Sequence, residues 1–314
     1  MISNSFNIDN FNTLDEKILY ICRNEYYEFF KKPNVVGIGL GYKTSEGFHT
    51  NEKCINVLVS KKVLPSTLSS NEIIPKLYKG IKTDVYESGF FKQYLLNSRV
   101  RPVLGGYSIS PAIPNHYGSV GCVVKDDLSN YFVLSCNHVL ASTNRVQLGA
   151  SIIQPSSLDN GKSPNDLIGF LYKYIPLIPN TANQLNKNYV DAAIAIVPNK
   201  TLISNSIYIL GKPDNPILPS LDLSVRKAGR TTDITYGYIK TLGASISMEI
   251  KNKNYIFINQ IVTTFMCDKG DSGALLMNLK NNPVGLIMGG STTNTIANPI
   301  HYVLNSLNVK IVTG

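Results

Sequence analysis

The sequence predicts a mainly β protein: two small β-barrels side by side, preceded by a small α/β unit. Three observations lead there. Beyond residue 106 the helical pattern nearly vanishes. Short apolar or β-branched runs follow one another: GCVVK, YFVLSC, VQLG, LIGFLYKYI, DAAIAIV, YGYIKTLG, YIFINQIVTTF, GALLM, VGLIMGG and VKIV. Gly, Pro, Asn and Asp separate them, which is the texture of an all-β sandwich or barrel arrangement. Ahead of residue 97, a helical pattern precedes a few strands. Between these regions NSRVRPVLGG (97–106), with its charge, proline and glycine pair, reads as a linker. The expected division is an α/β domain over 1–98 and a β domain over 99–314.

In the first domain, 13–32 are predicted as one helix. Thr13 and Glu16 have capping-box spacing. Ile18, Cys22, Tyr26 and Phe29 recur at helical spacing, and Pro33 ends the run. VVGIGLGY (35–42) and INVLVSKK (55–62) read as strands around a polar connection, and TDVYE (83–87) as a third. No acid–base constellation falls here, so packing, regulation or partner docking is the expected role.

Composition narrows the function classes. Of 314 residues, 43% are apolar, enough for a substantial core, and the net charge is +9 with a pI near 9.1. The Lys and Arg residues are dispersed, with no basic block interleaved with aromatics, which argues against nucleic acid as a partner. No run of about 18 apolar residues suggests a membrane span. The N-terminus MISNSFNIDNFNTLDEKILY does not read as a secretory signal. Five irregularly spaced cysteines do not make a disulfide framework, so a reducing cytoplasm is the expected location. No Cys-x-x-Cys pair occurs and the four histidines are scattered, so neither metal nor cofactor is expected.

The chemistry centres on CDKGDSGALL (267–276). Gly270 and Gly273 let the backbone bend sharply around Ser272. Such a bend can aim the N–H groups of Gly270 and Ser272 at one point, an oxyanion hole, with the Ser272 hydroxyl beside it. A serine is a poor nucleophile without a base. His138 is the candidate base, at the end of the apolar strand in YFVLSCNHVLA; His49 and His116 lie in polar or turn-like stretches and His301 near the C-terminus. The base needs an orienting carboxylate. Asp191 opens DAAIAIV at the mouth of a buried strand and is the first choice, with Asp166, in DLIGFL, next.

With these residues in the order His138, Asp191, Ser272, the region 99–314 resembles a trypsin-like serine protease of the chymotrypsin fold. SCNHVLA resembles that family's histidine motif, VDAAIAIV its aspartate strand, CDKGDSGALL its serine loop and PVGLIMGGS the strand lining the substrate cleft. VVGIGLGYKTSEG, RPVLGG and KAGRTTDITYGYI (227–239) resemble segments of bacterial, non-secreted members with an N-terminal α/β extension. The resemblance implies a chymotrypsin-like double β-barrel. It also implies a nucleophile at Ser272, a base at His138, an orienting carboxylate at Asp191 and oxyanion donors at Gly270 and Ser272. Met266, Lys269, Met288, Gly289 and Gly290 would line the substrate cleft. Met266 stands where tryptic members carry an aspartate, so tryptic preference is not implied. Ala274 replaces a second glycine. The cysteine that follows the histidine in secreted relatives is absent, and Cys122 and Cys136 are expected as free thiols.

Activation leaves two alternatives. VLGG (103–106) faintly echoes the new N-terminus of an activated zymogen, which would pair with Asp271, although Val103 follows Pro102. Alternatively 1–98 stays attached as a regulatory or docking domain. The expected function is a serine endopeptidase acting on a protein or peptide, with an activating or inhibiting protein as a further partner. The alternative is a catalytically silent, protease-like module that binds partner proteins.

Overall fold

The computed structural model describes residues 11–45, 47–90 and 96–314. The first ten residues, part of the stretch read for a signal, lie outside them. The chain divides into two compact units, Met1–Gln93 and Tyr94–Gly314.

In the first unit, α1 spans Leu14–Asn24. Its capping box is formed: the Glu16 N–H donates to Thr13 Oγ1 at 3.2 Å, and the Thr13 N–H to the Glu16 carboxylate at 3.0 Å. The single helix expected over 13–32 is broken at Glu25, where φ is −124° and ψ 11°; α2 then covers Tyr26–Phe30. The break turns Phe29 into the core beside Ile18 and Ile21 and leaves Tyr26 49% exposed. Lys79 and the Tyr78 hydroxyl hold the Glu25 carboxylate at 2.6 and 2.9 Å. Strands β1 (Val35–Ser45) and β2 (Phe48–Val59) form a hairpin, and β3 (Leu77–Tyr78) and β4 (Ile81–Glu87) complete a sheet of order β1-β2-β4-β3. Thr13→Ala removes one partner of the cap and is expected to lower this unit's stability by about 1 kcal/mol in denaturant unfolding.

The second unit starts earlier than the linker reading allows. Leu96 and Val103 are 2% and 1% exposed in its core. β5 (Val103–Gly105) pairs in parallel with a later strand, β14 (Ile203–Ile207). Thus 103–106 is packed into the second unit and is not spacer: Val103 is buried, and the glycine pair serves close backbone approach. A Cβ on Gly105 would lie 2.6 Å from the Gly121 carbonyl oxygen.

The first barrel is a curved eight-stranded sheet. Its strands are β6 (Ser108–Pro111), β7 (Gly118–Ser119), β8 (Val123–Lys125), β9 (Tyr131–Ser135), β10 (Ser151–Ile153), β11 (Leu167–Tyr174), β13 (Ala193–Ile196) and β21 (Lys310–Ile311). A short helix, α3 (Asn137–Leu140), follows β9. The second barrel contains β15 (Ser224–Gly229), β16 (Asp233–Ile250), β17 (Lys253–Thr264), β18 (Leu275–Asn278), β19 (Pro283–Gly290) and β20 (Asn294–Pro299). Pairing of β17 with β20 closes this sheet into a ring, and β12 (Lys187–Asn188) adds to β17 in parallel. The expected mainly β, double-barrel architecture is therefore what the chain adopts. VQLG forms a turn rather than a strand. A helix that strand patterning hid, α4 (Ile300–Leu307), buries Ile300, Val303 and Leu307 against the first barrel's core. All five cysteines are free thiols.

Candidate active site

Strand register brings the histidine and aspartate together. β9 and β13 are antiparallel, with Ala193 opposite Ser135. Two residues before Ala193 and three after Ser135, Asp191 and His138 meet at the same end of the pair. Asp191 is fully buried, and one carboxylate oxygen accepts the His138 backbone N–H at 3.1 Å. The other accepts a very short hydrogen bond from His138 Nδ1. A carboxylate can only accept, so the proton sits on Nδ1 and Nε2 keeps its lone pair. Asn298 on β20 fixes the aspartate's backbone: its Oδ1 takes the Asp191 N–H at 2.9 Å. Asn137 anchors the short helix, donating to the Ile175 carbonyl at 2.6 Å and to Asn144 at 2.7 Å. Asp166, the second candidate, lies elsewhere, paired with Arg99 at 2.9 Å.

The serine loop joins β17 to β18. Gly270 and Gly273 have φ of +107° and +94°. A Cβ on Gly270 would lie 2.3 Å from Thr231 Oγ1, and one on Gly273 2.1 Å from Ser135 Oγ. Both strain and contact therefore demand glycine. Gly270→Ala is expected to destabilise the fold by about 1–3 kcal/mol, read by thermal unfolding. Ser119 on β7 stitches the loop to the first barrel. Its N–H donates to the Ser272 carbonyl and its hydroxyl to the Gly270 carbonyl, each at 2.8 Å. With those carbonyls held, the Gly270 and Ser272 N–H groups have no acceptor among the described residues. The Ser272 hydroxyl donates to the Met288 carbonyl at 3.0 Å, and among the described residues no hydrogen bond joins it to His138.

Beneath the serine lies a pair the sequence reading did not single out. Lys227 and Asp271 are both fully buried, with Nζ 3.3 Å from the carboxylate. Lys227 also donates to Thr232 Oγ1 at 2.5 Å and to the Asp233 carbonyl at 3.0 Å. Asp271 further accepts from the N–H groups of Thr231, Thr232 and Asp268 at 2.8, 3.2 and 2.9 Å, and from the Thr232 hydroxyl at 2.6 Å. Burial pulls the Lys227 ammonium down from its ordinary value, opposed by the Asp271 charge. The residue before Ser272 is thus fixed by an ammonium from within the chain, in KAGRTTDITYGYI. Nearby Arg230 forks onto Asp159 at 2.7 and 2.5 Å and lies over the Tyr117 ring.

Beside Ser272 opens a pocket of about 580 Å³, lined in part by Cys267, Asp268, Lys269, Gly289 and Gly290. Of the expected cleft residues, Lys269, Gly289 and Gly290 lie on it. Met266 does not: it is 1% exposed within the second barrel's core, and Cys267 takes its place at the wall. The Met288 side chain is also buried, 2% exposed, and its carbonyl is what meets the serine. Strand β18 pairs with β19 only as far as Leu275 opposite Leu286. The edge of Met288–Gly290 facing Ser272 therefore has no strand partner among the described residues.

Cys136, His138 and Asp191 bring donor atoms within 4.8 Å of one another. They do not suit a metal. Burial raises the Cys136 thiol well above its ordinary value, and it donates to the Ile287 carbonyl at 3.2 Å. Both Asp191 oxygens are already engaged by His138.

A closed ring of strands beside a curved eight-stranded sheet is the chymotrypsin-like double β-barrel fold. Among solved structures, the chain is similar to Thermobifida fusca Protease A, with 18% identity and a TM-score of 0.50, covering 68% of this chain and 99% of that one. It is equally similar to Nocardiopsis Protease, with 17% identity and a TM-score of 0.50, covering 67% and 99%. No protein-family model matches the chain, and no curated protein matches it.

Proposed function

We propose that the protein is a serine endopeptidase. Ser272 attacks the scissile carbonyl while His138 Nε2 takes its proton. Asp191 holds the imidazole and stabilises the imidazolium. The Gly270 and Ser272 N–H groups receive the oxyanion, and His138 returns the proton to the leaving amine as the acyl-enzyme forms. Water, deprotonated by His138, then releases the acid and restores Ser272. The observation that carries this reading is the pair of uncommitted N–H groups beside Ser272, in a loop whose carbonyls are already held by Ser119. Such donors, fixed before reaction, are worth about 3–4 kcal/mol each. The free edge of Met288–Gly290 supports an extended substrate added as a strand.

The buried thiols fit a reducing compartment, and we place the enzyme in the cytoplasm. A catalytically silent module is the second reading. It is favoured by one observation, the Ser272 hydroxyl bonded to Met288 rather than to His138. A rotation of one side-chain torsion brings that hydroxyl away from the carbonyl, and catalytic hydrogen bonds often tighten only with substrate bound. Incubating the protein with a proteome-derived peptide library separates the two. New peptide termini in the wild type but not in Ser272→Ala support the peptidase; identical spectra support the silent module.

A further inference from the structure

We infer that the hairpin β16–β17 is the specificity-determining wall of this site, with Met248 selecting an uncharged, apolar side chain from an extended substrate chain. The inference rests on the peptidase reading and names the substrate class of the same site.

The hairpin is the longest among the described residues, with arms Asp233–Ile250 and Lys253–Thr264. Its tip turns at Lys251 and Asn252, both in the left-handed region at φ of 51° and 62°, as a tight hairpin turn needs. Ile246, Met248 and Ile250 share one face by strand alternation. They pack on a small apolar cluster of Leu177, Tyr255, Phe257, Met288 and Ile296. Met288 is the residue whose carbonyl holds the Ser272 hydroxyl, so the hairpin lies directly over the cleft strand. Met248 reaches the cleft strand: its methyl is 3.3 Å from where a Cβ on Gly289 would stand.

The tip is latched to the other barrel. Lys251 Nζ donates to Ser142 Oγ at 2.6 Å, just beyond the helix that bears His138. The hairpin therefore runs from the serine barrel to the histidine barrel. A substrate strand pairing with Met288–Gly290 must pass beside it, which suits an extended segment and not a folded surface.

The pocket's chemistry sets the side chain. Its apolar lining is Met248, Phe265 and the Cys267 sulfur, with the glycine backbone of 289 and 290 as a further wall. Cys267 is 4% exposed, burial raises its thiol above the ordinary value, and it takes a hydrogen bond from the buried Thr295 hydroxyl at 3.2 Å. The charged members, Glu249, Asp268 and Lys269, are all exposed, where water screens them. Lys227 and Asp271 neutralise each other and do not line it. A cationic or anionic side chain entering this space finds no buried counter-charge and loses its hydration.

The test uses full-length Ser272→Ala protein, which binds without cutting. Dye-labelled twelve-residue peptides of Ala and Gly carry one variable residue, and fluorescence anisotropy reads affinity. Leu, Met and Phe peptides are expected to bind at least ~10-fold tighter than Lys, Arg, Asp or Glu peptides. Adding Met248→Glu is expected to shrink or reverse the Leu-over-Lys ratio. Equal or undetectable binding across the set, a Lys or Arg preference, or a ratio unchanged by Met248→Glu overturns the inference. Fluorophosphonate labelling of the wild type reports the peptidase reading separately. Labelling without apolar preference overturns the wall alone; apolar preference without labelling upholds the wall and overturns the chemistry.

Discussion

Lys227→Met is expected to abolish hydrolysis and to lower stability by about 3–5 kcal/mol, because it strands the Asp271 charge in the interior. The ammonium is the only cation paired with that carboxylate among the described residues. Asp271 immediately precedes Ser272, and its carboxylate fastens both 231–232 and the Asp268 N–H to the serine loop. Without the cation, the carboxylate gains by turning toward water, and that movement takes the Gly270 and Ser272 N–H groups with it. Combining Lys227→Met with Asp271→Asn is expected to recover much of the stability, since no buried charge remains, but not the activity. Chemical denaturation beside a peptide assay reads both effects.

The same pair gives a pH dependence of defined sign. Burial holds the folded-state value of Lys227 below its unfolded value. Between the two, the folded chain binds fewer protons than the unfolded one, so this group's contribution to stability rises with pH. Activity moves the other way, because deprotonation removes the counter-charge of Asp271. Turnover is therefore expected to fall on the alkaline side below the ordinary lysine range, without a parallel loss of unfolding free energy from this group. A pH–rate profile measured beside denaturant midpoints at each pH checks it.

Asp191→Asn is the second large expected effect: turnover about 10⁴-fold lower with the fold intact. The asparagine keeps the shape, but its amide nitrogen is a donor. Facing His138, it favours the tautomer with the proton on Nε2, the nitrogen that accepts from Ser272 in the proposed mechanism. Asp191 is fully buried and bonded to both the backbone and ring of His138, so no solvent carboxylate can stand in. Steady-state kinetics with a peptide substrate, beside circular dichroism, separates lost chemistry from lost fold.

The elements legible in the sequence are those whose chemistry is local. The glycines around Ser272 announce a backbone that only glycine tolerates, and YFVLSC and DAAIAIV announce buried strands, whose pairing then carries His138 to Asp191. What was hidden depends on distant partners. Lys227 reads as one more surface lysine until β15 is placed under the serine loop; its only signal was its place in KAGRTTDITYGYI. Asn298, which clasps the Asp191 backbone, had no signal at all. Counting back from the serine puts Met266 in the cleft, but backbone geometry turns it into the core and gives the wall to Cys267. The segment 97–106 reads as a linker because paired glycines mark a turn as readily as the close backbone approach they serve here. The helix over 13–32 is interrupted because Glu25 leaves helical geometry, and Phe29 beyond the break is buried.

On the proposed function, Ser272 is an activated nucleophile without prior cleavage, with Lys227 holding its loop. Intact-mass analysis of the freshly purified full-length protein after fluorophosphonate treatment tests it most directly. A single adduct is expected on Ser272, on a chain of full mass, and none on Ser272→Ala. No adduct on the wild type, or an adduct only on a species that has lost its N-terminal residues, would contradict it.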